Sequence, residues 1–200
     1  MPNFSNATRA KARKGNLLAL STIDNDAALI VLDLQVATVG MPTTPHAAAD
    51  IVGRSAGLAK AFRDKGLPVV WVNVAGGSSG RTETTPQMGE LPDNWTELPE
   101  ELGVAASDQT FTKFGWGAFH DERLVALLNR VGAGQVFLTG VTTSQAVEST
   151  ARSAHERNYH VVVVTDAIGD LDAEAHSHSV NRIFPKIAEL ATTDEVLAHL

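Results

Sequence analysis

Three places in this 200-residue chain carry groups able to do acid–base or acyl-transfer chemistry. The first is Asp33, which closes the apolar run AALIVLD from Ala27 to Asp33. A carboxyl held at the end of a buried strand is stripped of water, which raises its pKa and suits it to general acid or base work near neutral pH. The second is Lys113, set among the aromatics of Phe111 to His120, FTKFGWGAFH. An ammonium so surrounded either seeks a carboxylate or snorkels out to water, and the residue pattern leaves both open. The third is Gln135 to Ala154, QVFLTGVTTSQAVESTARSA, which reads as a buried strand turning into a helix. Gly140 permits the turn, Thr142, Thr143 and Ser144 can cap, and Val147, Thr150, Ala151 and Ala154 form one helical stripe. Such a turn aims backbone N–H groups and the positive end of a helix into the space above the sheet, where negative charge can develop. An acyl-transfer enzyme would place its nucleophile in the first helical turn. Here Ala146 stands there, and the chain has no cysteine.

The elements that must hold these groups follow from the hydrophobic pattern. Ala27–Asp33, Pro68–Val74, Val136–Thr139 and His160–Asp166 are apolar on both faces, the mark of central parallel strands, and Ala188–Thr192 is a further candidate. Between them lie helical patterns over Ala47–Lys65, Glu122–Val131 with Asp121 as its cap, the stretch after Ala146, and Ala173–Ile183. Thr192 with Glu195 fits a capping box that starts a last helix. Strands alternating with helices specify a single-domain, doubly wound parallel sheet in three α/β/α layers, whose ligands bind outside the carboxyl ends of the strands. Asp33, Asn73, the Gly140 turn and Asp166 are expected there.

Residues 1–25 are polar and read as an N-terminal arm ahead of a domain over 26–200, with a basic cluster at Arg9, Lys11, Arg13 and Lys14. The stretch 75–108 is rich in Gly, Ser, Thr, Pro and acidic residues and reads as a surface excursion. Its GGSSG at Gly76–Gly80 does not fit nucleotide-binding spacings, and Arg81 is its one cation, suited to an anionic substrate. His176 and His178 are two apart, off any common helical face, and read as surface histidines. A net charge of −7 with no basic stripe argues against nucleic acid, and no apolar run approaches a membrane span, so a cytoplasmic protein acting on a small molecule is expected.

Taken in order, Leu32-Asp33-Leu34-Gln35, Lys113 within TKFGWGAF, and Gly140 to Arg152 (GVTTSQAVESTAR) resemble the isochorismatase-like hydrolases, a family that includes nicotinamidases, carbamoylsarcosine amidohydrolases and isochorismatases. The likeness spans Ala27 to Leu200. It implies a triad whose members map to Asp33, Lys113 and position 146, and a non-proline cis peptide after Val141. It also implies a homo-oligomer, dimer or tetramer. Substrate would meet Gln35, which positions Asp33 or water, an apolar wall of Trp116 and Phe119, Thr142, Thr143, and Arg81. The nicotinamidase metal pattern is not matched by Asn73 to Gly77, so no metal and no cofactor are expected. Ala146 leaves three readings. A thiol-free member cleaves a vinyl ether with Asp33 as acid and Lys113 orienting it. A cysteine amidohydrolase has lost its thiol to alanine, with Asp33 as the base and the amides of Thr142 and residue 146 holding the oxyanion. A silent relative binds or assembles without turnover. The hydrolase readings rest on the Asp33 carboxyl, the Lys113 amine and the Ala146 methyl converging on one small cavity.

Overall fold

The computed structural model describes residues 20–83 and 90–200. Six parallel strands form one sheet: β1 (Ala28–Leu32), β2 (Val69–Val74), β3 (Gln109–Lys113), β4 (Gln135–Val141), β5 (His160–Gly169) and β6 (Glu189–Ala191), in the spatial order β3-β2-β1-β4-β5-β6. The helices are α1 (Val36–Val39), α2 (Ala48–Asp64), α3 (Glu122–Val131), α4 (Glu148–Glu156), α5 (Ala173–His178) and α6 (Thr193–His199). Side-chain alternation along the strands separates two cores. Leu29, Val31, Val69, Trp71, Phe137 and Val162 pack with Ile51, Leu58 and Phe62 of α2 and Val196 of α6. Ile30, Leu32, Val70, Val72, Leu138 and Val163 pack with Leu124 and Leu128 of α3, Ala151 and Ala154 of α4, and Phe184. The doubly wound three-layer α/β fold expected from the apolar runs is the one observed.

Strand order dictates where the site lies. The chain runs outward from β1 through β2 to β3, then returns to β4 beside β1 and runs outward the other way. The reversal at β1 and β4 is a switch point, where the connections leave in opposite directions and open a crevice at the carboxyl ends. Leu32 is level with Gly140 in the register of these two strands. Asp33 therefore leaves β1 just where β4 gives way to the turn that carries Ala146.

The structure departs from the sequence pattern at several elements. β3 is an additional edge strand inside the stretch read as an aromatic loop; its first residues are exposed, so it lacks the continuous apolar run that marks the central strands. β5 continues to Gly169, which moves Asp166 from the strand end into its middle. There Asp166 accepts from the Thr193 amide at 2.7 Å and pairs with Arg54 at 3.6 Å, fastening α6 rather than facing the crevice. Gly140 is part of β4, not a turn. The expected caps at Asp121, and at Thr192 with Glu195, are present. Of the polar arm, residues 1–19 and the basic cluster within them lie outside the described residues. Leu20 is buried in the first core, and the Gln135 side chain bonds both the Asp24 amide and the Thr22 carbonyl.

Gly140 has φ 118°, and a Cβ there would fall on the Leu32 carbonyl. Gly140→Ala is expected to lose at least ~2 kcal/mol in urea unfolding followed by circular dichroism, since strain and overlap act together. Gly57→Ala, in the exposed middle of α2 with nothing within 4 Å of the added methyl, should instead gain about 0.5–1 kcal/mol.

Candidate active site

β1 ends in a sharp change of backbone direction. Asp33 has φ 55°, its amide donates to the Val72 carbonyl at 2.7 Å, and its carbonyl accepts from the Thr38 hydroxyl of α1. These contacts turn the Asp33 side chain away from the strand's alternation and hold it across the top of the sheet. From the edge, Lys113 at the end of β3 brings its Nζ to 2.7 Å from Asp33 Oδ2 and donates a second bond to the Gly115 carbonyl at 2.9 Å. Both side chains are almost wholly buried, at 8% exposure for Asp33 and 3% for Lys113. Asp33 Oδ1 has no hydrogen-bond partner among the described residues.

Two forces act on this carboxyl in opposite directions. Burial raises its pKa, while the charge and hydrogen bond of Lys113 lower it. Burial wins, and the Asp33 pKa stands at about 6. The proton has an obvious place, because Oδ2 is engaged by the ammonium and Oδ1 is not.

The third component is the turn after β4. The Val141–Thr142 peptide is cis, as the resemblance implies, and Thr143–Val147 form a single π-helical turn before α4. Ala146 is 3% exposed and shares its core with Phe119 and Val147. Thr143 is fully buried and does not cap the helix; its hydroxyl meets His176 Nδ1 at 2.8 Å. Ser144 donates its amide to Asp170 Oδ2 at 2.6 Å.

The remaining predicted residues fall in different settings. The Gln35 carboxamide accepts from the Val74 amide at 2.7 Å and donates to the Val74 and Trp95 carbonyls at 2.9 and 3.2 Å. It thus ties β2 and the returning excursion to the start of α1, instead of contacting the Asp33 carboxyl. Phe119 is 1% exposed and stacks at a tilt on Tyr159, so it belongs to the core and not to a cavity wall. Trp116 is 60% exposed and Phe114 67%, flanking the Gly115 carbonyl that binds Lys113. Arg81 is exposed in the excursion. A groove of about 400 Å³ opens on the Lys113 side, lined by Ser78, Thr112, Phe114, His120 and Arg123 among others; Asp33 and Ala146 do not line it. This groove therefore does not unite the three groups as expected: Lys113 lines it, while the Ala146 methyl is packed into the core on the α3 and α4 side. Asp170 carries no signal in the sequence, where it sits in a polar stretch, and His176 reads there as a surface residue. In the structure His178 is exposed, but His176 is buried because α5 lays it against Thr143. Among the described residues, no group of three or more His, Asp or Glu side chains is placed to hold a metal ion.

The chain is similar in sequence and fold to known proteins. Residues 27–195 match the model of the isochorismatase domain. The uncharacterized isochorismatase family protein YecD of Escherichia coli O157:H7 is 38% identical over 177 residues, covering 85% of this chain and 94% of the relative. An isochorismatase family protein from Burkholderia thailandensis has a solved structure that superposes with a TM-score of 0.85 at 38% identity, over 90% of this chain and 97% of the other. The N-carbamoylsarcosine amidase of Thermoplasma acidophilum superposes with a TM-score of 0.68 at 28% identity, over 84% of this chain and 97% of the other.

Lys113→Met leaves the buried Asp33 without its counter-charge and is expected to cost about 3–5 kcal/mol at pH 8. That loss should shrink as pH falls, because the Asp33 pKa, relieved of the lowering influence of Lys113, rises above about 6 and the carboxyl protonates. Denaturant unfolding of the variant across pH 4–8 checks the slope. Asp33→Leu combined with Lys113→Met removes both charges and should recover most of the deficit.

Proposed function

The chain belongs to the isochorismatase family, and we propose that it is a hydrolase that cleaves a vinyl ether by acid catalysis, with no covalent intermediate on the protein. The observation that carries this reading is the Asp33 carboxyl: almost wholly buried, bonded to Lys113 through Oδ2, free of partners among the described residues at Oδ1, and with its pKa raised to about 6. A carboxyl of that kind holds a proton at an atom from which it can be given away.

The reaction is an enolpyruvyl ether plus water going to pyruvate plus an alcohol. Asp33 Oδ1–H would protonate the methylene carbon, leaving an oxocarbenium centre at the ether carbon. Water adds there and yields its proton back to Asp33. The resulting hemiketal collapses: its hydroxyl proton passes to the ether oxygen as the bond from carbon to that oxygen breaks, and the alcohol and pyruvate are released. Lys113 holds the carboxyl in orientation and offsets the negative charge of Asp33 once the proton has gone. In the turn after β4 the Ser144 amide is held by Asp170 and the Gln145 amide by the Thr142 carbonyl, so the amides of Thr142 and Ala146 are the ones that would meet a substrate carboxylate. Ala146 supports the absence of a covalent step, since a methyl offers no lone pair. Isochorismate, from which the matched domain takes its name, is the substrate of choice.

A second reading has its own support in the likeness to N-carbamoylsarcosine amidase and in the turn at 142–146. There Asp33 would be a base for a thiol at position 146, and this chain would lack the group it serves. The exposed Phe114 and Trp116 beside the pair support a homo-oligomer whose partner subunit covers them, within a cytoplasmic enzyme. No described helix is long and apolar enough to cross a membrane.

Pyruvate release from isochorismate, followed by coupled NADH oxidation, is expected with wild-type protein, and Asp33→Asn should lower kcat/KM by about 10²–10⁴. The acid form carries the activity, so kcat/KM should be level below a pH of about 6 and fall about tenfold per unit above it. A rate that rises through pH 6 would make Asp33 a base and overturn the proposal.

Ala146→Cys separates the two readings. If the thiol-free reaction is native, the variant keeps vinyl-ether turnover and gains no release of ammonia from N-carbamoylsarcosine; ammonia release would favour the amidohydrolase.

A further inference from the structure

Beyond the Asp33–Lys113 pair, the proposed chemistry leaves unused two titratable residues buried among the described ones, Asp170 and His176. His176 is 8% exposed on α5, and its Nδ1 lies 2.8 Å from the hydroxyl of Thr143, the residue that opens the π-helical turn. The next residue, Ser144, gives its amide to Asp170 Oδ2 at 2.6 Å. The other carboxylate oxygen of Asp170 accepts from the amides of Leu171 and Asp172, at 2.8 and 3.3 Å. The Asp170 backbone is itself anchored, exchanging bonds of 2.7 and 2.9 Å with Thr44. Two successive residues of the turn are therefore gripped from one segment, Thr143 by its side chain and Ser144 by its amide.

We propose that His176 and Asp170 are positioning residues that together fix the backbone of the Thr142–Ala146 turn, and so the direction of its amides, and that His176 does this as a neutral ring. The inference rests on the reading that this turn faces the substrate's negative charge. A neutral imidazole can accept the Thr143 proton or donate to the Thr143 oxygen, and so it fits the hydroxyl in either orientation. A charged ring can only donate, and it would carry a full charge into a site with little water. Burial accordingly pushes the His176 pKa below its ordinary value; nearby Asp170 acts to raise it and His46 to lower it. The turn packed against α5 contributes no titratable group, and α5 with its continuation adds Asp172, Glu174, His178 and Arg182, all exposed.

Uniformly ¹⁵N-labelled protein tests this without a substrate. The amide resonances of Ser144, Gln145 and Ala146 should move with one midpoint, the same as that of the His176 ring and below 6.5. His176→Phe, which fills the ring's volume without its nitrogens, should displace those amides and abolish the titration. His176→Asn, whose carboxamide reaches the position of Nδ1, should hold those amides at all pH values where the neutral wild-type ring puts them. With isochorismate, His176→Phe should lower kcat by about tenfold with KM within about threefold, and His176→Asn should recover to within about threefold of wild type. Should the phenylalanine variant not fold, the wild-type titration and the asparagine variant still decide. Amides indifferent to the ring's titration overturn the clamp, as does an asparagine variant no better than phenylalanine. Coupled amides with no isochorismate turnover overturn the reaction and leave the clamp standing; turnover with indifferent amides does the reverse.

Discussion

A carboxyl and an ammonium 2.7 Å apart, both nearly sealed from water, are the constraint around which the top of this molecule is arranged. Burying either charge alone is costly, about 3–5 kcal/mol when one partner of such a pair is removed, since an unpaired charge in a medium of low dielectric constant loses its hydration uncompensated. Their mutual attraction is partial compensation only. Lys113 has a second acceptor in the Gly115 carbonyl, whereas Asp33 has a bare Oδ1, so the imbalance falls on the carboxyl. That imbalance is why burial prevails over the ammonium and the Asp33 pKa is raised to about 6, as the proposed acid role needs.

The pair exists because two backbones come unusually close. Asp33 and the turn after β4 are brought level by the register Leu32 with Gly140, and that register requires a residue without a Cβ against the Leu32 carbonyl. Lys113 reaches in from two strands away because β3 extends the sheet beyond β2, with Val74 paired to Lys113. Gln35 closes the arrangement. By binding both backbone polar groups of Val74 and the carbonyl of Trp95, it fastens the end of β2 and the returning excursion to the strand that carries Asp33. The sheet order, one glycine and one buried amide therefore do more to build the site than any residue near the chemistry.

The parts legible in the sequence are those set by local pattern. Continuous apolar runs gave the central strands, because a strand covered on both faces has no polar register to hide in. The capping chemistry at Asp121 and at Thr192 with Glu195 gave two helix starts. A carboxylate closing one run and a lysine among aromatics pointed to the pair. What pattern could not reveal depends on long-range packing. β3 is short, exposed at its start and stabilised by β2 more than by its own composition. Phe119 and Trp116 are three residues apart, and nothing local says that one enters the core while the other faces out. His176 has the same local signature as exposed His178; only the approach of α5 to Thr143 separates them.

Under the proposed reading, the alanine at position 146 bears on what Asp33 is asked to do. The amidohydrolase alternative needs a thiol there with Asp33 as its base, and an alanine side chain has no proton to give up. Ala146 instead belongs to the apolar core, 3% exposed beside Phe119 and Val147. Asp33 is left with Lys113 as its ionic partner, and its pKa is set by burial working against that one ammonium. A carboxyl governed by those two influences fits the acid role of the proposed cleavage, whereas the base role would first need a thiol from which to take a proton.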